Sequence, residues 1–559
     1  MEKRLVVFLA LSVFIIFLYP FFITWVIGPP LQESSAPEIT PNETERSVQK
    51  DTSDSQEVQV LEDRSEPDKG EPKLLEAGEH AEKSKIEMSL ESEEKLTVVE
   101  SDLYRITLSS FGGTIKEWEL KRYTEKDEEG QEQSIELVSE DEKVRPLSLF
   151  TGKDAENEKR GYQLSVPFLQ LNQANPKGKV VMTFVGTEGQ KVVKTLHFYH
   201  DRYRVEMSVM RAGSKNGYSL SLGTNFGIHD WSGQGGRSSG AISLVNGEVV
   251  LESPAKMEGD VTHEGSLSWI GLQDKYFLSA LIPENLTENI EAYIESEEEN
   301  SIISSIRVKA EESQGPHNFS LYVGPKEYDR LKDMGANLDE TIDFGWFISG
   351  SWLPVRLIAK PIFYLLRFFF RFTGNYGVAI ILVTVLVKAI LFPVTWKSLK
   401  SMKAMGAVQP KVAEIKKKWA KDKERLNKEL INLYKVEKIN PLGGCLPMLV
   451  QIPVFISLFN ILYTTIDLRQ AHFMFWVTDL ASKDPYYVLP IIMGATMILQ
   501  QHSQPNTMDP SQAKMMKFLP IIYTFFFLNF PSGLVLYWLV NNILTVGQQY
   551  LMKRENAAV

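Results

Sequence analysis

The stretch Gly377-Val-Ala-Ile-Ile-Leu-Val-Thr384-Val-Leu-Val-Lys388-Ala-Ile-Leu-Phe392 decides how this chain is read. It is apolar, and with its flanks it is long enough to cross a bilayer. One lysine, Lys388, interrupts it. A charge at the centre of a spanning helix costs about 2.5–3.5 kcal/mol even on lenient insertion scales. Lys388 is therefore expected to face a protein interior or a wet cavity and to be there for function. The plainer alternative is a lysine that snorkels to the headgroups. Lys388 lies nine positions before Lys397, an offset of roughly 13 Å along a helix, of which a lysine stem covers about half.

The sequence C-terminal to this stretch sorts into a basic segment and further apolar segments. Lysines crowd 397–438, and the positive-inside rule puts that loop in the cytoplasm. Val412, Ile415 and Trp419, then Leu426, Leu430 and Leu433, have helical spacing. With Pro410 as punctuation and a turn near Lys421-Asp422-Lys423, two amphipathic helices are expected to form a hairpin over 397–440. Its lysines, Lys416, Lys417 and Lys418 among them, are suited to anionic headgroups or ribosomal RNA. The sparse aromatic interleaving favours a plain solvated face over direct RNA binding. Met402 and Met405 are flexible apolar contacts near the cytoplasmic mouth, as commonly simple packing as receptors for a hydrophobic segment. Further spans are expected at 446–466, 486–501 and 518–551, the last split by Asn529-Phe-Pro-Ser-Gly533 into a hairpin. Its first arm, 518–530, would be only about 20 Å long, which implies local thinning of the bilayer.

N-terminal to the decisive stretch the chain is mostly polar. Residues 1–27 read as an uncleaved signal anchor with its N-terminus inside, since the apolar run ends Trp-Val-Ile-Gly-Pro-Pro without a small-residue cleavage site. Residues 28–95 are acidic and free of aromatics, a tether that cannot bury enough surface to fold. From 96 to 345, short runs such as Leu96–Glu100, Leu103–Leu108, Ile115–Leu120, Lys179–Val185, Val192–Tyr199, Tyr203–Met210 and Tyr218–Leu222 predict a large all-β sandwich. Phe111-Gly-Gly-Thr predicts a turn, and 327–334 a short helix. Residues 346–372 are apolar but studded with Arg and Pro, which suits an amphipathic helix on the membrane surface. The net charge of −11 is the sum of an acidic tether and a basic cytoplasmic loop. The single cysteine, Cys445, excludes an intramolecular disulfide.

Polar residues recur where spans are expected. Thr384 lies one turn before Lys388 and Thr395 two turns after it. Gln451, Ser457 and Asn460 mark the next span. Tyr537, Asn541, Thr545 and Gln548 share one face of the last helix. Isolated polar residues in spans are commonly glue between helices. Several polar stripes around one positive charge point instead to a wet groove able to receive a polar or acidic segment of another chain. There is no phosphate loop, no H-E-x-x-H, and no His or Cys cluster with metal spacing, so neither a catalytic centre, nor a metal, nor a small-molecule cofactor is expected.

The motifs Asn440-Pro-Leu-Gly-Gly-Cys445-Leu-Pro447, Gln451-Ile-Pro453, Asp484-Pro-Tyr-Tyr-Val-Leu-Pro490 and Phe530-Pro-Ser-Gly-Leu-Val-Leu-Tyr537 resemble the YidC/Oxa/Alb membrane insertase family. The large outer domain and N-terminal anchor resemble its Gram-negative YidC form. The resemblance implies a multi-pass protein of the cell inner membrane. Its fold would be a polytopic α-helical membrane protein, an N-terminal anchor plus a five-helix core at 373–551, with a periplasmic β-supersandwich and a short tail at 552–559. It implies a hydrophilic groove lined by Lys388, Thr384, Gln451, Tyr537 and Asn541, nascent membrane proteins as substrates, and work alone or beside the Sec translocon, in contact with membrane lipids. The groove residue is usually arginine in the family. Lys388 keeps the charge and loses the planar fork. Ribosome contact is implied for relatives with long basic tails, whereas this tail is short and weakly basic. The competing readings are an anion transporter built around Lys388, for which no inverted repeat is visible, and an intramembrane Ser-Lys protease, for which Lys388 has no serine partner on its own helix.

Overall fold

A computed structural model describes residues 93–557, apart from 127–129, 140–142, 152–159, 187–188, 214–215, 232–238, 287–288, 299, 311–314, 343–352, 438–445 and 504–509. The expected anchor at 1–27, most of the tether and the Cys445 motif lie outside the described residues.

Residues 96–325 form three sheets. A nine-stranded sheet is accompanied by two five-stranded ones, and their inward faces share one hydrophobic core. Alternation builds this core. In the strand Lys191–Tyr199, Val192, Leu196 and Phe198 point inward on every second residue. The same alternation puts Lys194 in the core, fully buried. Its Nζ donates to the carbonyls of Gly112 (2.9 Å), Gly113 (2.9 Å) and Leu147 (2.7 Å), so the charge is buried but each donor is used. Burial pulls the ammonium down to about 7. Both glycines have φ near +60°, as the expected Phe111–Thr114 turn needs. A Cβ on Gly113 would also press the Tyr162 ring at 3.0 Å.

The turn before the strand Phe277–Pro283 depends on Asp274. Its fully buried carboxylate accepts from the backbone N–H groups of Tyr276 and Phe277 (2.7 Å each), His229 (2.9 Å) and Asp230 (3.1 Å). This aims the neighbouring Lys275 out of the sandwich, 3.7 Å from the ring centroid of Tyr463, a cation–π contact between sandwich and helices. Arg469 and Gln470 add hydrogen bonds to the carbonyl of Thr124 at 3.1 and 3.0 Å.

Among the described residues eight α-helices follow: α1 Tyr328–Met334, α2 Leu353–Thr373, α3 Tyr376–Lys418, α4 Lys423–Val436, α5 Leu446–Thr464, α6 Val488–Ser503, α7 Pro510–Phe527 and α8 Ser532–Ala557. The expected surface helix is observed from Leu353, and 346–352 lie outside the described residues. It is clamped to α1 by the Arg367–Asp329 ion pair and a 2.6 Å bond between the hydroxyls of Tyr328 and Tyr364.

One expectation is overturned. The decisive span and the first arm of the cytoplasmic hairpin are a single 43-residue helix, α3, which passes through Pro393 and Pro410. Proline removes one N–H and crowds the preceding turn, but it need not end a helix whose other bonds are intact. By length and composition α3 is also the one helix among the described residues able to cross a membrane. The apolar parts of α5 and α7, Val450–Thr464 and Lys517–Phe527, are shorter. The turn at 419–422 is as expected, with the Asp422 carboxylate accepting from the Arg425 N–H. α8 continues to Ala557, through most of the expected 552–559 tail.

Glu94 offers an acid-stability test. Burial pushes its carboxyl up, but donors from Ser109 (2.6 Å), Lys116 (2.9 Å) and Arg145 (2.9 Å) outweigh that and hold it at about 2 against an ordinary 4.5. A depressed folded-state pKa gives stability that is complete above pH 4.5 and is lost as pH falls toward 2. Glu94→Gln should remove that acid-labile part. Across this window the thermal midpoint of the parent should fall further than the variant's, by the equivalent of about 2 kcal/mol after discounting for solvent screening.

Candidate functional site

Asn375 starts α3: its side chain accepts from the Val378 N–H at 3.1 Å, satisfying one of the helix's free first-turn donors. Three turns on, Lys388 projects toward α8, and its Nζ donates to the Thr545 hydroxyl at 3.0 Å. That hydroxyl donates onward to the carbonyl of Asn541 at 2.7 Å. Thr545 is thus acceptor and donor at once, and the lysine charge is passed to the backbone dipole of α8. Lys388 forms no ion pair among the described residues. An ammonium has three N–H donors, so it retains capacity for a ligand.

Acceptors lie on the same helix. The side-chain oxygens of Asn541, Gln548 and Gln549 are buried and lack a hydrogen-bond partner among the described residues. Asn541, Thr545 and Gln548 follow at i, i+4 and i+7, which is one face. An unpartnered buried amide oxygen costs about 1–3 kcal/mol, so this stripe is suited to water or a polar chain. Gln549 and the pairing of Lys388 with Thr545 escaped the sequence reading. Thr545 was on the recognised polar face, but a contact between residues this far apart leaves no local signal.

A second polar contact lies nearer the start of α8. Gln451 of α5 donates to the hydroxyl of Tyr537, and Phe455 packs edge-on against Trp538 with centroids 4.9 Å apart. Thr384 lies one turn from Lys388 on α3, but it is buried and its hydroxyl donates back to the Ile380 carbonyl at 2.6 Å. Of the five expected groove residues, the structure therefore brings Lys388 beside the Asn541 face and joins Gln451 to Tyr537. It leaves the Thr384 hydroxyl engaged with its own helix.

Toward the C-terminal end of α3, Met402, Met405 and Lys416 are half-buried, and Lys417 and Lys418 are exposed. Val408 and Val412 are buried, Arg425 of α4 stacks 4.1 Å over Trp419, and Lys411 pairs with Glu437 at 2.6 Å. These contacts hold α4 against the end of α3. No group of three or more His, Cys, Asp or Glu able to hold a metal occurs among the described residues.

Two family descriptions match the chain: the YidC periplasmic domain over residues 96–365 and the 60Kd inner membrane protein over 368–558. A membrane protein insertase YidC of Geobacter sulfurreducens is 40% identical, with 81% of this chain and 85% of that one covered. A second, of Geobacter metallireducens, is 34% identical over 100% of this chain and 99% of that one. The chain belongs to the YidC membrane insertase family. A solved structure of an active YidC insertase with its first transmembrane domain is 17% identical, covering 82% of this chain and 95% of that one at a TM-score of 0.35; at that score the superposition adds nothing to the sequence match. As a family member the chain is an inner-membrane protein whose β-sandwich is the periplasmic domain.

Hydrogen bonds inside membranes average about 0.6 kcal/mol and reach about 1.7. Tyr537→Phe, which leaves the Gln451 amide unpaired, should therefore destabilise the helical core only within that range, as measured by unfolding in mixed micelles. A loss of insertion activity well beyond what such a change predicts would identify the pair as contacting substrate.

Proposed function

We propose that this insertase holds the polar flank of an incoming hydrophobic segment in the groove around Lys388, while the apolar part moves into lipid between the helices. The observation that carries the reading is a cation in a spanning helix that has a hydroxyl partner, no counter-ion among the described residues, and unpartnered amide oxygens beside it on α8. The arrangement offers donors and acceptors to an extended polar chain and a positive charge to an acidic one. Partition of the apolar segment, worth about 25 cal/mol per Å², supplies the driving force without nucleotide, metal or bond chemistry at this site.

The proposed topology has the 1–27 anchor with its N-terminus inside, the 28–95 tether outside, α2 on the outer surface, and α3, α5, α6, α7 and α8 as the five core spans. The short apolar length of α7 supports a thinned bilayer beside the groove. The α3–α4 hairpin is proposed to meet the substrate first, with Met402 and Met405 toward apolar segments and Lys416, Lys417 and Lys418 toward anionic headgroups. Cooperation with the Sec translocon and docking of a ribosome on this basic face belong to the same proposal.

The test is insertion of a short substrate with an acidic flank into vesicles carrying Lys388 variants. Lys388→Arg should stay near the parent. Lys388→Ala should be slowed, and Lys388→Glu should fall by roughly an order of magnitude or more, because it replaces attraction of the acidic flank by like-charge repulsion, each worth up to a few kcal/mol at an effective dielectric near 20. Equal insertion by all variants, for acidic and neutral flanks alike, would contradict the proposal. Uptake of small anions lost in the same variants would favour a transporter.

A further inference from the structure

Two aromatic side chains are displayed into open space beside the first turn of α3. Phe372, in the last turn of α2, is 88% exposed, and Phe475, at the tip of the loop between α5 and α6, is 82% exposed, next to Met474 at 44%. Asn375 ties the two together. It follows Phe372 by three residues, and its amide donates to the carbonyls of His472 (3.3 Å) and Phe473 (2.9 Å). The loop is pressed hard onto α3, since a Cβ on Gly377 would fall 1.9 Å from the Phe473 ring. The tip is closed by bonds from the Phe473 N–H to the Val477 carbonyl (3.0 Å) and from the Val477 N–H to the Met474 carbonyl (3.1 Å).

Phe475 sits in this turn at φ +53°, a left-handed conformation that a bulky non-glycine residue adopts at a cost of order 1 kcal/mol or more. A glycine or asparagine would fit the turn more easily. A phenylalanine held outward there, with little of its ring covered by this chain, wastes apolar surface in water.

We propose that the Phe473–Trp476 tip is an anchor that inserts Phe475 and Met474 into the outer-leaflet interface of the lipid bilayer, at the level where Phe372 enters it. Lipid is the occupant because of where the tip is tied. A hydrocarbon core of about 30 Å takes roughly 20 helical residues. Counted along α3 from Gly377, it places Asn375 at the headgroup boundary, the depth favoured by aromatic side chains. Pinned to the cap of α3 at that boundary, the tip would hold the outer end of the span in register with the membrane surface. The inference rests on α3 as a span and goes beyond the groove.

The test places an environment-sensitive NBD probe on single cysteines in the full chain, in a Cys445→Ser background, reconstituted in phosphatidylcholine nanodiscs. Phe475→Cys and Met474→Cys report the tip, Ile390→Cys on the exposed apolar face of α3 reports the span, and Lys191→Cys reports an exposed position on the sandwich. The expected result is severalfold stronger quenching at 475 and 474 by nitroxides near the headgroup end of the acyl chain than by aqueous iodide, with the reverse at 191. Iodide quenching at 475 like that at 191, with 390 quenched by lipid nitroxides, overturns the anchor and leaves the span intact. Loss of lipid quenching at 390 as well overturns both. Shielding of 475 from iodide and lipid alike means a protein covers the tip, which also overturns the anchor.

Discussion

A lysine on the long apolar helix α3 constrains the membrane part of this molecule. Lys388 cannot face lipid at the depth of its helix without a cost of a few kcal/mol, so something polar must lie opposite. That something is α8, whose Thr545 takes the ammonium and whose Asn541 on one side and Gln548 and Gln549 on the other extend the polar stripe along the helix. The stripe in turn limits how dry the space between α3 and α8 can be. Apolar packing, such as Phe455 against Trp538, joins α5 to α8.

The sandwich meets the same problem and solves it the opposite way. Lys194 also sits where alternation demands an apolar residue, but three carbonyls take its three donors and nothing is left to offer. Lys388 has one protein hydrogen-bond partner among the described residues. The contrast separates a buried charge used to fix a turn from one that the proposal keeps available for a substrate. The sandwich is also tied to the helices, through Lys275 on Tyr463 and Arg469 and Gln470 on Thr124. The loop that leads from α5 toward α6 is therefore gripped from the sandwich side by Thr124 and from the α3 side by Asn375.

Local patterns were readable where one face of an element is buried. Strand composition and turn spacing located the strands at 96–100, 177–185, 191–199, 204–212 and 218–224 to within a residue or two, and the Gly112-Gly113 turn and α1 lie where expected. The reading failed where tertiary context overrides a local rule. Pro410 reads as punctuation, yet α3 runs through it as it runs through Pro393, because a proline costs one hydrogen bond and leaves the rest of a long helix intact. At the site, the polar face of α8 was visible as spacing, and Lys388 as a charge in an apolar run. That Thr545 holds the lysine, and that the Thr384 hydroxyl is committed to Ile380, depends on helix rotation and contact, which spacing does not encode. The docking pairs Lys275–Tyr463 and Arg469–Thr124 join residues far apart in the chain and carry no sequence signature.

The most direct test of the account is photocrosslinking to a stalled nascent membrane protein from positions 451 and 545, which the proposal places in the groove, against 390 and 543, which are exposed on the apolar flanks of α3 and α8. The account predicts that adducts from 451 and 545 map to the polar flank of the substrate, while those from 390 and 543 map to its apolar segment or to lipid. Polar-flank adducts that are absent at 451 and 545, with substrate captured only from 390 and 543, would contradict it and place the insertion route outside the Lys388 groove.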